Sequence, residues 1–160
     1  MLKKENNIFL IFILLLISIA FISTLIIQYQ LGHQPCKLCI YERIPYIFSI
    51  FLIISALFFN KYKKVILLTL SILFFFSFLL AFYHFGIEKG FFNELFICKV
   101  GSSLESLSKA QILEQLKQNP ISCKDVNFKI LGLSLATINS IFSLFLSAIF
   151  AKLFISYGKN

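Results

Sequence analysis

Long apolar stretches alternate with short polar ones along this chain. Residues 8–27 carry no charged side chain, and at about 1.5 Å per helical residue they extend about 30 Å, the thickness of the hydrocarbon core of a bilayer. Comparable stretches occupy residues 40–59, 65–85 and 130–151. The pattern predicts one all-α membrane domain over residues 1–160, a bundle of four transmembrane helices with both termini on the same side.

The start of the second span is polar. Glu42 and Arg43 precede the uncharged run at residues 44–59. We expect them to belong to the first helical turn at the membrane interface, because Pro45 in that turn gives up only an N–H that has no partner. The link at residues 60–64 is so short that the second and third helices are predicted to be antiparallel neighbours.

Two polar loops, at residues 28–39 and 86–129, lie on the side opposite to the termini. Within the second loop, Ser102 and Glu105 have the spacing of a capping box. The apolar residues that follow recur about once per turn until Asn119 and Pro120, which predicts a short helix on the membrane surface, with a solvated loop helix as the alternative. These residues are Leu104, Leu107, Ile112 and Leu116.

Composition and charge narrow the function classes. The chain is 59% apolar and 14% charged, whereas soluble domains are about 45–50% apolar and about 25% charged. Its net charge of +8 does not indicate nucleic-acid binding, since no window combines clustered Lys and Arg with an aromatic-studded polar surface. Positive charge is densest in the two tails and the link at residues 60–64, which predicts that both termini are cytoplasmic.

All four cysteines fall in the two loops opposite the termini. Cys36 and Cys39 lie in the first loop, and Cys98 and Cys123 in the second. An even number of cysteines on one side, away from the reducing cytosol, predicts two disulfides, and four cysteines allow three pairings. This distribution independently favours an outward orientation of the loops.

The two pairs of cysteines differ in spacing and therefore in the chemistry that they indicate. Cys36 and Cys39 form a C-x-x-C, which makes a small ring suited to thiol–disulfide exchange, although a staple or a zinc site also uses this spacing. Cys98 and Cys123 are separated by 24 residues, and a bridge closing such a loop contributes on the order of 3 kcal/mol by the chain-entropy model. That spacing disfavours a four-cysteine zinc site.

Arg43 strengthens the redox interpretation of the C-x-x-C. In a helix that continues from Cys39, Arg43 lies one turn later on the same face, where its charge and the helix N-terminus both favour a Cys39 thiolate. The alternative is an arginine that extends to the lipid headgroups, paired with its neighbour Glu42.

Taken together, the motifs resemble the DsbB family, bacterial inner-membrane proteins of disulfide bond formation. The resemblance follows nearly the whole chain in order, with the same four-helix layout and the same two cysteine-bearing loops. It rests on three stretches: Cys36-Lys-Leu-Cys-Ile-Tyr-Glu-Arg43, Tyr83-His84-Phe-Gly86-Ile-Glu88, and Cys123 followed by Leu131-Gly-Leu-Ser-Leu-Ala and Asn139.

The resemblance implies a thiol oxidase linked to ubiquinone or menaquinone, without a metal. Its partner would be a DsbA-like periplasmic protein of thioredoxin fold. By position, Cys98 would form the mixed disulfide with that partner, and Cys123 would attack Cys36. Cys39 would then pass electrons to a quinone held near Arg43 at the membrane face.

Two further residues are candidates for the quinone site. His84 and Glu88 lie at the end of the third span, and reduction of a quinone consumes two protons, which a histidine is suited to supply near neutral pH. An interfacial structural role for His84 is the alternative. For the whole protein, the alternatives are a structural four-helix membrane protein with stapled loops, and a thiol carrier similar to vitamin K epoxide reductase, whose C-x-x-C usually stands late in the chain.

Overall fold

The computed structural model describes residues 2–32, 35–93, 123, 129–130 and 132–158. The helices, in chain order, are α1 (Leu2–Tyr29), the short α2 (Lys37–Tyr41), α3 (Ile44–Phe58), α4 (Lys63–Glu88) and α5 (Leu135–Gly158). A 3₁₀ turn, Asn60–Tyr62, joins α3 to α4, and the strands β1 (Lys129–Ile130) and β2 (Leu133–Ser134) precede α5.

Four helical segments are long and apolar enough to cross a membrane, which confirms the predicted all-α four-helix membrane protein. They are Asn7–Tyr29, Lys37–Phe58, Asn60–Glu88 and Leu135–Tyr157. The third is longer than the predicted 65–85, since α4 continues to Glu88. Cys98 and the predicted surface helix lie outside the described residues.

The second span, Lys37–Phe58, is interrupted at Glu42 and Arg43, which the sequence predicts to lie within its first helical turn. Helix α2 ends at Tyr41, and α3 begins at Ile44 with a proline in its first turn. Glu42 and Arg43 form the turn between them, where the N–H of Arg43 donates to the carbonyl of Ile40 at 3.1 Å. The proline has no N–H to continue the hydrogen-bond ladder, so the helix restarts rather than continues.

The fourth span begins later than the predicted residue 130. Lys129 and Ser134 pair across a two-stranded antiparallel hairpin, and Gly132 turns it with a φ of +82°, a conformation that favours glycine. Helix α5 then begins at Leu135, because the hydroxyl of Ser134 caps it by accepting the N–H of Thr137 at 3.2 Å. The helix ends at Gly158 rather than at residue 151.

One apolar core runs along the bundle, and the remaining apolar side chains face outward. Phe74 is fully buried, whereas Phe76 on the same helix is 63% exposed, as expected for a helix with one face on the core and one on lipid. The core joins residues of α1, α3, α4 and α5: Leu10, Ile13, Ile17, Tyr46, Ile53, Ala56, Ile66, Leu67, Leu70, Phe74, Leu146 and Phe150.

Helices α4 and α5 form the most extensive contact in the bundle. Serines line this contact: the hydroxyls of Ser77 and Ser143 are 3.1 Å apart, and Ser71 and Ser147 each donate to the backbone carbonyl of the other at 3.2 and 3.0 Å. Small hydroxyl residues let helix backbones approach closely and satisfy their own polar groups in lipid. This pair of helices carries one wall of the site described next.

Candidate redox site

Four helix termini converge at one end of the bundle, and the C-x-x-C lies among them. Cys36 is the N-cap of α2, where its sulfur accepts the N–H of Cys39 at 3.2 Å. The two sulfurs are 2.6 Å apart and both cysteines are free thiols. Cys36 is buried, and Cys39 is partly exposed.

The local hydrogen bonds favour a thiolate on Cys36. Donation from the Cys39 thiol lowers the pKa of Cys36 below its ordinary value, against the opposing effect of burial, and the N–H of Cys39 acts in the same direction. The sequence predicts that the helix N-terminus stabilises a thiolate on Cys39. In the structure it is Cys36 that caps the helix, because α2 begins at Lys37.

His84 of α4 reaches the cysteine pair from the opposite wall. Its Nε2 atom is 3.5 Å from the sulfur of Cys36, and its Nδ1 donates to a carboxylate oxygen of Glu42 at 2.7 Å. A carboxylate oxygen of Glu88, one turn further along α4, is 3.9 Å from Nε2. The imidazole is only 3% exposed, so these contacts define its environment.

The carboxylate of Glu42 is held from two helices at once. One oxygen accepts from His84 of α4, and the other accepts from the side-chain amide of Asn139 of α5 at 2.7 Å. Asn139 in turn accepts the hydroxyl of Tyr46 and, at 3.4 Å, that of Ser143. A buried carboxylate is expensive unless it is paired and hydrogen-bonded, and this chain of contacts meets that requirement.

Arg43 points away from this chain. Its Nη1 donates to the side-chain oxygen of Gln28 near the end of α1. Arg43 and Cys39 both line a cavity of about 280 Å³ between α1, the α2–α3 turn and the start of α5. The rest of its wall is mainly apolar, with Phe21, Ile27 and Phe142 among its residues. Polar side chains of the Glu42 contacts also line it: Glu42, Tyr46 and Asn139.

Cys123 approaches the C-x-x-C from the second loop. It is buried and belongs to one apolar cluster with Cys36, Leu38 and Ile87. Cys123 is disulfide-bonded, unlike the free cysteines of the C-x-x-C. The structure therefore brings cysteines of both loops into a single buried cluster.

The family model for disulfide bond formation protein DsbB matches residues 6–153. The chain belongs to the DsbB family. It is also 33% identical over 164 residues to uncharacterized protein RP370 of Rickettsia prowazekii (strain Madrid E), a match that covers 99% of this chain and 93% of that protein.

Membership of the DsbB family makes disulfide bond formation the general activity of the chain and makes it an oxidoreductase of that process. The free thiols of Cys36 and Cys39 have the chemistry that this activity needs. Of the other predicted site residues, His84 and Glu88 lie at the thiols rather than among the residues that line the cavity. Arg43 does line that cavity.

Glu42 and Asn139 join this site in the structure, and the sequence predicts neither of them as part of it. The sequence indicates Glu42 only as a partner of Arg43, and Asn139 as a helix–helix contact rather than a ligand, because an amide within a span is costly unless it is hydrogen-bonded. The available signal was their position, because ionisable and amide side chains within apolar spans are costly and commonly mark functional contacts. Their partners on other helices carry no local sequence signature.

Proposed function

We propose that this DsbB-family protein is a thiol:quinone oxidoreductase that reoxidises a periplasmic, DsbA-like protein of thioredoxin fold and passes the electrons to a membrane quinone. One observation carries the proposal: Cys39, half of a free C-x-x-C, forms part of the wall of an apolar cavity that also presents Arg43. A purely structural pair of cysteines has no need of such a cavity.

The first half of the proposed cycle is thiol–disulfide exchange in the outer loops. A thiolate of the partner attacks Cys98 of a Cys98–Cys123 disulfide and releases Cys123. The Cys123 thiolate attacks Cys36 of the oxidised C-x-x-C, which releases Cys39 as a thiolate. The shared buried cluster of Cys36 and Cys123 supports this route, because exchange requires the attacking sulfur to reach the disulfide.

In the second half, the partner's remaining thiolate attacks the partner sulfur that is bonded to Cys98, which forms the partner's own disulfide and releases Cys98 as a thiolate. Cys98 then attacks Cys123, which restores the loop disulfide and releases Cys36. The C-x-x-C now holds two thiols, and their return to a disulfide delivers two electrons and two protons. A bound quinone supplies an acceptor for both electrons and both protons.

The cavity residues fit a quinone. A quinone is a flat ring that carries two carbonyl groups, so it needs an apolar slot of a few hundred Å³ with a small number of polar groups. The cavity has a volume of about 280 Å³, mainly apolar walls and the guanidinium of Arg43. The contact from Arg43 to Gln28 holds one of its nitrogens, while the planar group keeps further N–H donors for a ligand oxygen.

In this proposal His84 accepts a thiol proton and Glu42 stabilises the protonated ring. The Nε2 of His84 lies 3.5 Å from the Cys36 sulfur and accepts the proton that leaves the thiol. The carboxylate of Glu42, 2.7 Å from Nδ1, stabilises the imidazolium that forms. A carboxylate oxygen of Glu88 also lies 3.9 Å from Nε2, and neither His84 nor Glu88 lines the cavity. We therefore assign both residues to the thiol side of the reaction rather than to direct contact with the quinone.

We place the protein in a bacterial inner membrane, with the termini in the cytoplasm and the cysteine loops in the periplasm. The density of Lys and Arg in the tails and in the link at residues 60–64 supports this orientation. Exposed Lys37 should then react with an impermeant amine reagent in intact spheroplasts, and exposed Lys61 should not. The opposite labelling pattern would reverse the orientation and remove the periplasmic partner.

The decisive experiment measures quinone-dependent oxidation of a reduced thioredoxin-fold dithiol protein by the purified chain in detergent. We expect turnover with quinone, none without it, and none for Cys39→Ser. Ser55→Ala is the matched control, since this exposed hydroxyl bonds only its own helix at 2.8 Å and lies at the other end of α3. A structural protein with stapled loops would show no oxidation in any of these samples.

A further inference from the structure

The free thiols and His84 form a compact set of soft ligands. The sulfurs of Cys36 and Cys39 and a ring nitrogen of His84 all lie within 4.8 Å of one another. Thiolate sulfur and imidazole nitrogen are the ligands that Zn²⁺ prefers, in sites of four-coordinate tetrahedral geometry. The described residues thus supply three of four positions, as in zinc sites that leave one position open.

The second contact of His84 completes a recurrent metal-site arrangement. A histidine that binds a metal through one nitrogen almost always donates its other N–H to a carboxylate or carbonyl. Here Nδ1 donates to Glu42 at 2.7 Å, and Asn139 fixes that carboxylate by a second 2.7 Å bond. Nε2 is therefore left as the acceptor nitrogen, and it is the atom that faces Cys36.

Size and charge both allow an ion to enter. Two Zn–S bonds of about 2.3 Å at a tetrahedral angle separate the sulfurs by about 3.8 Å, so the present 2.6 Å separation must widen by about 1.2 Å. Cys39 is partly exposed and lines the cavity, which gives its side chain room to move and gives the ion a route. Two thiolates cancel the charge of Zn²⁺, so the buried complex adds no net charge.

We propose that the reduced C-x-x-C and His84 form a reversible Zn²⁺ site that blocks the redox pair. Binding forms two Zn–S bonds and one Zn–N bond, releases the two thiol protons, and changes no oxidation state. The site exists only in the reduced protein, because a Cys36–Cys39 disulfide offers no thiolate. Zinc is thus an inhibitor that traps the reduced enzyme, distinct from the quinone of the proposed function.

The test is metal binding to the full-length protein in detergent, with Zn²⁺ and with Co²⁺ as a coloured substitute. We expect the reduced protein to retain one Zn²⁺ per chain after desalting and, with Co²⁺, to show a sulfur-to-metal charge-transfer band. The oxidised protein should retain none. Since this comparison uses one sequence in two redox states, misfolding of a variant cannot explain it.

Variants then identify the ligands. His84→Ala and Cys39→Ser should each lose the stoichiometric ion and the charge-transfer band, while His33→Ala, at the other histidine of the chain, is the matched control and should keep both. Glu42→Gln should weaken Zn²⁺ binding about 10- to 100-fold, the usual cost of removing a partner behind a metal-bound histidine. The same titrations in a Cys98→Ser, Cys123→Ser background exclude binding by the loop cysteines.

Three results would overturn the proposal: equal Zn²⁺ retention by oxidised and reduced protein, retention of the ion by His84→Ala, or loss of binding in His33→Ala. These measurements require no quinone and no thiol partner. Zinc binding can therefore fail while the oxidase activity stands, and it can succeed in a protein that has no oxidase activity.

Discussion

Replacing Glu42 by glutamine tests whether the carboxylate acts on the thiols through His84. The change keeps the size of the side chain and removes its charge and one acceptor atom. In the structure both oxygens of Glu42 accept 2.7 Å hydrogen bonds, one from His84 and one from Asn139. A glutamine has one oxygen and one NH₂ group, so one of these donors must face another donor.

The magnitude follows from those two contacts. Hydrogen bonds to a charged group contribute about 1.5–3 kcal/mol, and the bond from His84 matters most once its ring has taken the Cys36 proton. Because 1.36 kcal/mol corresponds to a factor of ten in rate, Glu42→Gln should slow oxidation of the reduced C-x-x-C by quinone about 10- to 150-fold. The buried donor–donor contact should also lower the free energy of unfolding by about 1–3 kcal/mol.

Single-turnover kinetics separate this effect from general damage. Oxidation of the reduced C-x-x-C by quinone should slow and change its dependence on pH, while attack by the soluble partner on the loop disulfide keeps its rate. Glu42→Asp, which retains the charge on a shorter side chain, should recover part of the loss. If Glu42→Gln slowed both half-reactions equally, or neither of them, the carboxylate would have only a structural role and our assignment of His84 would be wrong.

Substitutions at three further positions test other parts of the molecule. Arg43→Gln should raise the apparent KM for quinone and have little effect on the exchange with the soluble partner. Arg43→Lys should give a KM between those of the wild type and Arg43→Gln, since lysine keeps the charge but not the planar group. An unchanged KM would show that the residue is only a membrane anchor. Cys123→Ala should trap a covalent complex with the thiol partner through Cys98, visible on a non-reducing gel, and a folded variant without any complex would contradict the assigned roles. Gly86→Ala should lower the free energy of unfolding by about 1–3 kcal/mol, because the added Cβ would lie 2.1 Å from the Phe92 ring. Thermal denaturation measures this change, and an unchanged stability would show that the ring moves freely.

The number and order of the spans were predictable because hydrophobicity over some twenty residues is a strong signal. The residues at which the helices begin and end were less predictable. Composition does not mark where a helix ends or begins near Arg43 and Ile130, because local hydrogen bonds decide the boundaries there. The break before Ile44 depends on the turn at Glu42, and the start of α5 depends on the Ser134 cap.

The candidate site also has parts that the sequence predicts and parts that it does not. The C-x-x-C and its closeness to Arg43 are local in sequence, so spacing alone identified them. The contact between Glu42 and His84 joins residues 42 positions apart, and that between Glu42 and Asn139 joins residues 97 apart. Such pairings depend on how three helices pack, which no pattern within one helix encodes.

The separation of Glu42 from Arg43 has an electrostatic consequence for the cavity. Among the described residues, the ion pairs of this region join His84 to Glu42 and to Glu88, and Arg43 instead contacts the neutral amide of Gln28. The guanidinium and the carboxylate of Glu42 both line the cavity, so a ligand there meets two opposite charges at separate points of the wall rather than one closed ion pair. In surroundings of low dielectric constant the field of these two charges is weakened less than in water. The cavity consequently orients a polar ligand as well as fitting its shape, with an electron-rich oxygen toward Arg43.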